Sequence, residues 1–299
     1  MKLKNSKEGL SLKILFPVLY IATILLVVLR TYQLTRNIDS ETGFLTGGEA
    51  LYSGFLIIII AVALFFALVS FLSVESKSIE LVSIKNKACS IATTVFAVSL
   101  IYDSFVSFFD SIVIFDEMST GTFVQGPEFF KTLMSTGTLP YALQSLFALF
   151  SSVYFFILAK SFSNGSQKAH ERKYIALAPV AWAAFKIITR FVKQISYIKV
   201  SDLFLELIML AFMILFFVAL SQVVSGVYSD DSRWRIPALG LGGALVSIAI
   251  NVPRLVLGAF ADEFVNKEYP FNLADTVFAV FAILVVSAVI KSKDSKALD

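Results

Sequence analysis

Eight apolar stretches long enough to cross a bilayer recur along this chain, and the segments between them are too short to hold a folded water-soluble domain. A helix needs roughly 20 mainly apolar residues to span about 30 Å of hydrocarbon. The stretches cover residues 12–30, 51–73, 88–109, 141–159, 174–194, 205–227, 236–259 and 273–290. Each is a continuous run, whereas the strands of a membrane barrel would alternate in character over about ten residues. The expectation is an all-α polytopic membrane protein of about eight transmembrane helices arranged as four helical hairpins, with residues 1–299 forming a single transmembrane domain. Composition agrees: 57% of residues are hydrophobic and only 16% charged, where soluble domains are about a quarter charged. Lipid is therefore the first partner.

Orientation follows from the basic residues. Most of the 25 Lys and Arg fall at the N-terminus (Lys2, Lys4, Lys7, Lys13), in every second loop (Lys77, Lys85 and Lys87; Lys160, Lys168, Arg172 and Lys173; Arg233 and Arg235) and after the last stretch (Lys291, Lys293, Lys296). The positive-inside rule then places both termini in the cytoplasm and the chain in the cell membrane. A cluster between Lys186 and Lys199 runs against the bias. The basic N-terminus ahead of an apolar run has the look of a signal peptide, but the run enters Arg30, Thr31 and Tyr32 with no Ala-x-Ala-like cleavage site. It reads as a retained first helix. Most acidic residues fall on the opposite side, which predicts an acidic outer mouth.

Three returning stretches share a pattern: Ala-Leu-Phe-Phe-Ala-Leu-Val-Ser at 63–70, Val-Tyr-Phe-Phe-Ile-Leu-Ala-Lys at 153–160 and Ile-Leu-Phe-Phe-Val-Ala-Leu-Ser at 214–221. Shared apolar composition produces such likeness, and duplication of a hairpin is the other account. The first two outer loops also correspond, with Asp39, Thr42, Gly43 and Phe44 in one and Asp116, Thr120, Gly121 and Phe123 in the other. Asp, Thr and Gly suit an ordered turn. The stretch from Arg30-Thr31-Tyr32-Gln33-Leu34 through Asn37-Ile38-Asp39-Ser40-Glu41-Thr42-Gly43-Phe44 resembles the N-terminal region of uncharacterised multi-pass membrane proteins of Gram-positive anaerobes. That resemblance implies no activity.

Candidate functional residues come from charge inside the spans. Counted from the basic ends at 1.5 Å per residue, Arg30, Asp103, Lys186 with Arg190, and Asn251 with Arg254 all fall roughly 20 to 28 Å along the outward-going helices. Gln144, Glu206 and Asp275 reach a comparable height on the returning ones. Helical spacing puts Asp103, Ser107 and Asp110 on one stripe, Lys186, Arg190 and Lys193 on another, and Ser247, Asn251, Arg254 and Gly258 on a third. Arg30, Lys193 and Arg254 lie close enough to the interface to snorkel, and Asp110, Glu206 and Asp275 read as helix-end markers. Asp103, Lys186, Arg190 and Asn251 lie deeper. A buried charge costs at least about 2.5 to 3.5 kcal/mol, so these groups should face a cavity or each other, and Asp103 is the natural counter-ion for Lys186 or Arg190. Pro253 should kink its helix beside Arg254, and Gly240, Gly242 and Gly243 permit close helix packing.

Much chemistry is missing. A lone histidine, His170, rules out the His-Glu-x-x-His zinc site, and a lone cysteine, Cys89, excludes an internal disulfide. No phosphate-binding loop or nucleophile elbow is present. Asp103 and Asp110 are about 10 Å apart along the helix, too far for a coupled carboxylate dyad. No catalytic residue, metal or cofactor is assigned, and without a basic stripe no nucleic acid is expected. The leading expectation is binding or transport of a small polar or charged solute by Asp103, Lys186, Arg190 and Asn251, with Arg254 and Arg30 near the same level. The apparent excess of deep basic groups favours an anionic or zwitterionic ligand. The alternative is a non-enzymatic sensor or accessory subunit that contacts a membrane protein partner or a second copy of itself.

Overall fold

The computed structural model describes residues 11–73, 85–119, 127–165, 173–192, 201–226, 233–265 and 271–296. A 3-10 turn, Leu12–Ile14, leads into α1 (Leu15–Arg36), and the chain continues through α2 (Glu49–Leu72), α3 (Lys87–Ser119), α4 (Pro127–Thr136), α5 (Thr138–Asn164), α6 (Ala178–Val192), α7 (Ser201–Val224), α8 (Arg235–Phe260) and α9 (Leu273–Lys296). Eight of these helices are long and apolar enough to cross a membrane; α4 is not. Among the described residues the one strand-like feature is an isolated antiparallel bridge between Ile38 and Leu45.

Two helix assignments differ from expectation. The third span does not end near Phe109 but continues to Ser119, so Asp116 and Glu117 are helical and not loop residues, and Asp110 lies inside the helix and not at its end. The segment from Lys87 to Ser119 contains no Pro or Gly, so nothing stops the helix where the hydrocarbon ends. The segment between α3 and α5 holds α4, which is too short and polar to span and packs on α5. Thr120, Gly121 and Phe123 of that loop, together with His170 and Lys193, lie outside the described residues.

The packing is organised around α8, which touches α1, α2, α7 and α9. It is the most enclosed spanning helix, with 83% of an apolar 18-residue stretch buried. Glycine makes this possible. A Cβ on Gly240 would come within 2.8 Å of the Phe216 ring and one on Gly242 within 2.8 Å of Phe212, so α7 approaches closer than any side chain on α8 would allow. α8 runs through Pro253 as one continuous helix.

α3 and α5 form an antiparallel pair held by serines. Ser90 Oγ donates to the Ala159 carbonyl (2.9 Å), Ser104 Oγ to the Ser145 carbonyl (2.9 Å) and Ser111 Oγ to the Thr138 carbonyl (3.0 Å). Donor and acceptor numbers change step for step in opposite directions, which fixes one register along the whole pair. Beside it, rings from α3, α5, α6, α7 and α9 interlock: Phe96 stacks on Phe281 at 5.2 Å and meets Phe155 edge-on at 4.8 Å, with Trp182 and Phe217 also against Phe96. Such offset and edge contacts add specificity to plain apolar burial. The α1–α2 loop folds over the far end of the bundle, where Ile38 packs with Leu34, Leu257 and Val265. Its turn is tied by Thr42 Oγ1 donating to Asp39 Oδ2 at 2.6 Å, and that bond holds the Asp39 carboxyl below the usual carboxylate range. Gly48 enters α2 at φ +70°, and a side chain there would strike Asn37.

Candidate functional site

Alternating helix direction sorts the buried charges. Arg30, Arg190 and Arg254 sit in the last two turns or so of α1, α6 and α8, while Asp202, Glu206 and Asp275 sit in the opening turns of α7 and α9. The C-terminal end of a helix favours a cation and the N-terminal end an anion. Because one set of helices ends where the other begins, the two signs meet at one level.

They meet as ion pairs. Asp202 Oδ1 accepts from Arg30 Nη2 at 2.7 Å and from Arg254 Nη2 at 2.9 Å. The other arm of Arg254 reaches Glu206 Oε1 at 2.6 Å, and Arg190 Nε lies 2.9 Å from Glu206 Oε2. Arg254 therefore forks across Asp202 and Glu206, which are one turn apart on the same face of α7. Across the bundle, Lys186 Nζ donates to Asp275 Oδ1 at 2.6 Å and stands 3.8 Å from Asp103 Oδ1. All these residues are buried except Arg190, whose side chain is 16% exposed.

Neutral side chains carry the network to the remaining helices. Arg30 Nη1 donates to Gln33 Oε1, and Gln33 Nε2 to the Leu51 carbonyl of α2. Asp103 accepts from Trp182 Nε1 at 2.8 Å, Asn272 Nδ2 at 3.3 Å and Gln144 Nε2 at 3.4 Å. Gln144 also donates to Ser107 and accepts from Thr189. Asn251 Oδ1 accepts from the Asn272 backbone, and Ser247 Oγ donates to the Asp275 carbonyl. In this way all eight spanning helices are joined at one level.

The six candidate residues separate into two groups. Asp103, Lys186 and Arg190 line a cavity of about 440 Å³, together with Asp110, Tyr102, Tyr141 and Asn272. Arg30, Asn251 and Arg254 are not among its lining residues; they belong to the packed wall behind it. Three sequence readings need correction. Arg30, Arg254, Glu206 and Asp275 are not interfacial anchors or simple end markers, because each is buried and paired. Asp103 does pair with Lys186, at 3.8 Å, but Asp275 is the closer carboxylate, and Arg190 pairs with Glu206 instead. The excess of deep basic groups also disappears: Arg30, Lys186, Arg190 and Arg254 are matched by Asp103, Asp202, Glu206 and Asp275. The Asp110 stripe does hold, as Asp103, Ser107 and Asp110 all line the cavity.

Asp202 and Trp182 were missed. Asp202 precedes the apolar run of its helix and reads as a cap; its spacing of four from Glu206 was the available sign that both share a face. Trp182 reads as bulk core, although a buried indole N–H needs an acceptor. No family model, no curated protein and no solved structure matches the chain. The site itself carries the functional argument.

Proposed function

We propose that this multi-pass membrane protein binds a small zwitterionic solute in the cavity between α3, α5, α6 and α9, entered from the outer side, as the binding step of transport. The supporting observation is a lining that offers both signs of charge: Asp103 and Asp110 on one wall, Lys186 and Arg190 on the other. With the buried charges balanced, a purely anionic ligand gains no net field. A ligand with separated charges meets a partner at each end. Asn251, Arg254 and Arg30 act behind the lining, holding Arg190 and Asn272 in place through Glu206 and the start of α9.

Thermal unfolding of the purified protein against zwitterionic amino acids, betaines and simple carboxylates tests this, since ligand stabilisation follows concentration over Kd whatever the downstream role. Zwitterions should raise Tm and simple carboxylates should not. Arg190→Gln should remove the shift without unfolding the protein, because Glu206 keeps Arg254 at 2.6 Å. Asp110 is exposed, so Asp110→Asn should weaken binding by about tenfold, the low end for a hydrogen bond to a charged group. If no zwitterion shifts Tm, or if shifts survive Arg190→Gln, the layer is structural and the sensor or accessory-subunit reading replaces this one.

A further inference from the structure

A second, apolar cleft lies apart from the solute cavity. α2 and α7 both pack on α8, and the space between them is a groove of about 370 Å³ lined by Leu56, Ile59, Ala63, Ala67, Ile208 and Phe212, among others, all apolar. Several of its side chains, including Ile60, Leu64 and Phe204, are 40% exposed or more. The wall contributed by α7 is one stripe: Phe204, Ile208, Phe212, Leu215, Ala219 and Gln222 follow intervals of four or three residues, the spacing of a single helix face. Over its lower part this stripe lines a second cavity of about 230 Å³, whose other walls are Trp234, Arg235 and Leu239. Phe71, at the end of α2, meets the Trp234 ring edge-on at 5.6 Å, so the groove between α2 and α7 ends at the indole.

Among the residues that line the two cavities, charge is confined to that end. Arg235 is exposed and opens α8, with Arg233 beside it and Trp234 between them. Nineteen residues separate Arg235 from Arg254, about 28 Å along the helix, so this end lies at the bilayer face opposite the ion-pair layer. An indole at headgroup level next to guanidinium groups suits a phosphate, which arginine meets with a planar fork of donors. The slot above it is narrow. Leu56 to Ala67 covers roughly 16 Å of α2, which gives the groove a mean cross-section of a few tens of Å². A slot of that width takes an extended acyl chain along its length.

We infer that this face is a specific site for an anionic phospholipid, with its phosphate on Arg235 beside Trp234 and Gln222 and one acyl chain running up the α2–α7 groove past Ala67 and Ala63 towards Phe204. The site is independent of the solute cavity, which shares none of its residues.

The test uses full-length protein in a neutral detergent, with didecanoyl phosphatidylglycerol as probe and didecanoyl phosphatidylcholine and glycerol phosphate as controls, read by thermal unfolding and native mass spectrometry. Phosphatidylglycerol should raise Tm several degrees more than phosphatidylcholine and give a one-lipid adduct. Arg235→Gln should abolish the difference between the two lipids. Ala63→Phe should remove the adduct while leaving the Tm of the lipid-free protein within a few degrees of wild type, because the new ring lies in the groove and not in the core. Equal responses to the two lipids would overturn the headgroup assignment. An adduct that persists in Ala63→Phe would overturn the groove, and a full response to glycerol phosphate would overturn the acyl chain. A dimer that Ala63→Phe dissociates would show a second copy of the chain on this face and replace the lipid.

Discussion

At the scale of single residues, the buried charges differ in how many partners they hold, and that number ranks their variants. Asp275 pairs with Lys186, whereas Glu206 pairs with both Arg254 and Arg190. Lys186→Gln should therefore cost stability of order 3 to 5 kcal/mol, because it leaves a carboxylate buried without its cation. Arg190→Gln should cost much less. In a double-mutant cycle in detergent, Lys186→Gln with Asp275→Asn should show a coupling well above that of Lys186→Gln with Asp103→Asn, since the distances are 2.6 and 3.8 Å. Equal couplings, or a larger one with Asp103, would show that the 2.6 Å pair does not dominate. The depth of Lys186 and Arg190 was legible in the sequence, because depth along a helix is a count of residues. Their closest partners, Asp275 and Glu206, were not. Which carboxylate meets which cation depends on rotation and register between helices, and for Asp202 the only local mark was its spacing of four from Glu206, which places both on one face without naming the arginines that meet them.

At the scale of elements, helix direction explains what residue counting could not. A bundle that alternates in direction places C-terminal ends beside N-terminal ends, and the sequence supplies cations to the first and carboxylates to the second. Had the opening turns of the returning helices been read as anion positions, the charge balance would have been foreseen from Asp202, Glu206 and Asp275. The long α3 shows the reverse difficulty: hydropathy reports where lipid ends, while the helix ends only where backbone bonding does. The glycines of α8 were legible as close-packing positions, although the ring each one meets was not. Their role gives a prediction at this scale. Gly240→Ala places a methyl 2.8 Å from the Phe216 ring, a residue interlocked with Phe217, Phe278 and Phe281. Overpacking of this kind costs about 1 to 3 kcal/mol, so thermal unfolding of this variant should shift downward despite the better helix propensity of alanine. Gly258, with nothing within 4 Å of an added Cβ, is the control, and Gly258→Ala should be neutral or stabilising. An unchanged Tm for Gly240→Ala would mean that α7 and α8 are free to separate at this contact.

For the whole molecule, the eight spans were the most legible feature, because lipid imposes a minimum apolar length and few soluble folds imitate it. The sidedness expected of the bundle rests on a different physical term, the bias of Lys and Arg near the ends of short loops, and it decides which compartment the cavity opens towards in the proposed solute-binding role. The ion-pair layer lies near the ends of α1, α6 and α8, on the side of the Asp39–Thr42 turn, and Lys85, ahead of α3, lies on the other. The orientation to be tested puts the turn outside and Lys85 inside. Cys89 is buried and its thiol bonds the Leu284 carbonyl, so Cys89→Ser keeps a donor there and provides a background free of native thiols. In that background, Thr42→Cys should react with an impermeant thiol reagent in intact cells, and Lys85→Cys only after the membrane is opened. The reverse pattern would turn the cavity towards the cytoplasm and make the protein a receiver of internal solutes. Labelling of both positions in intact cells would mean that α2 does not cross the bilayer.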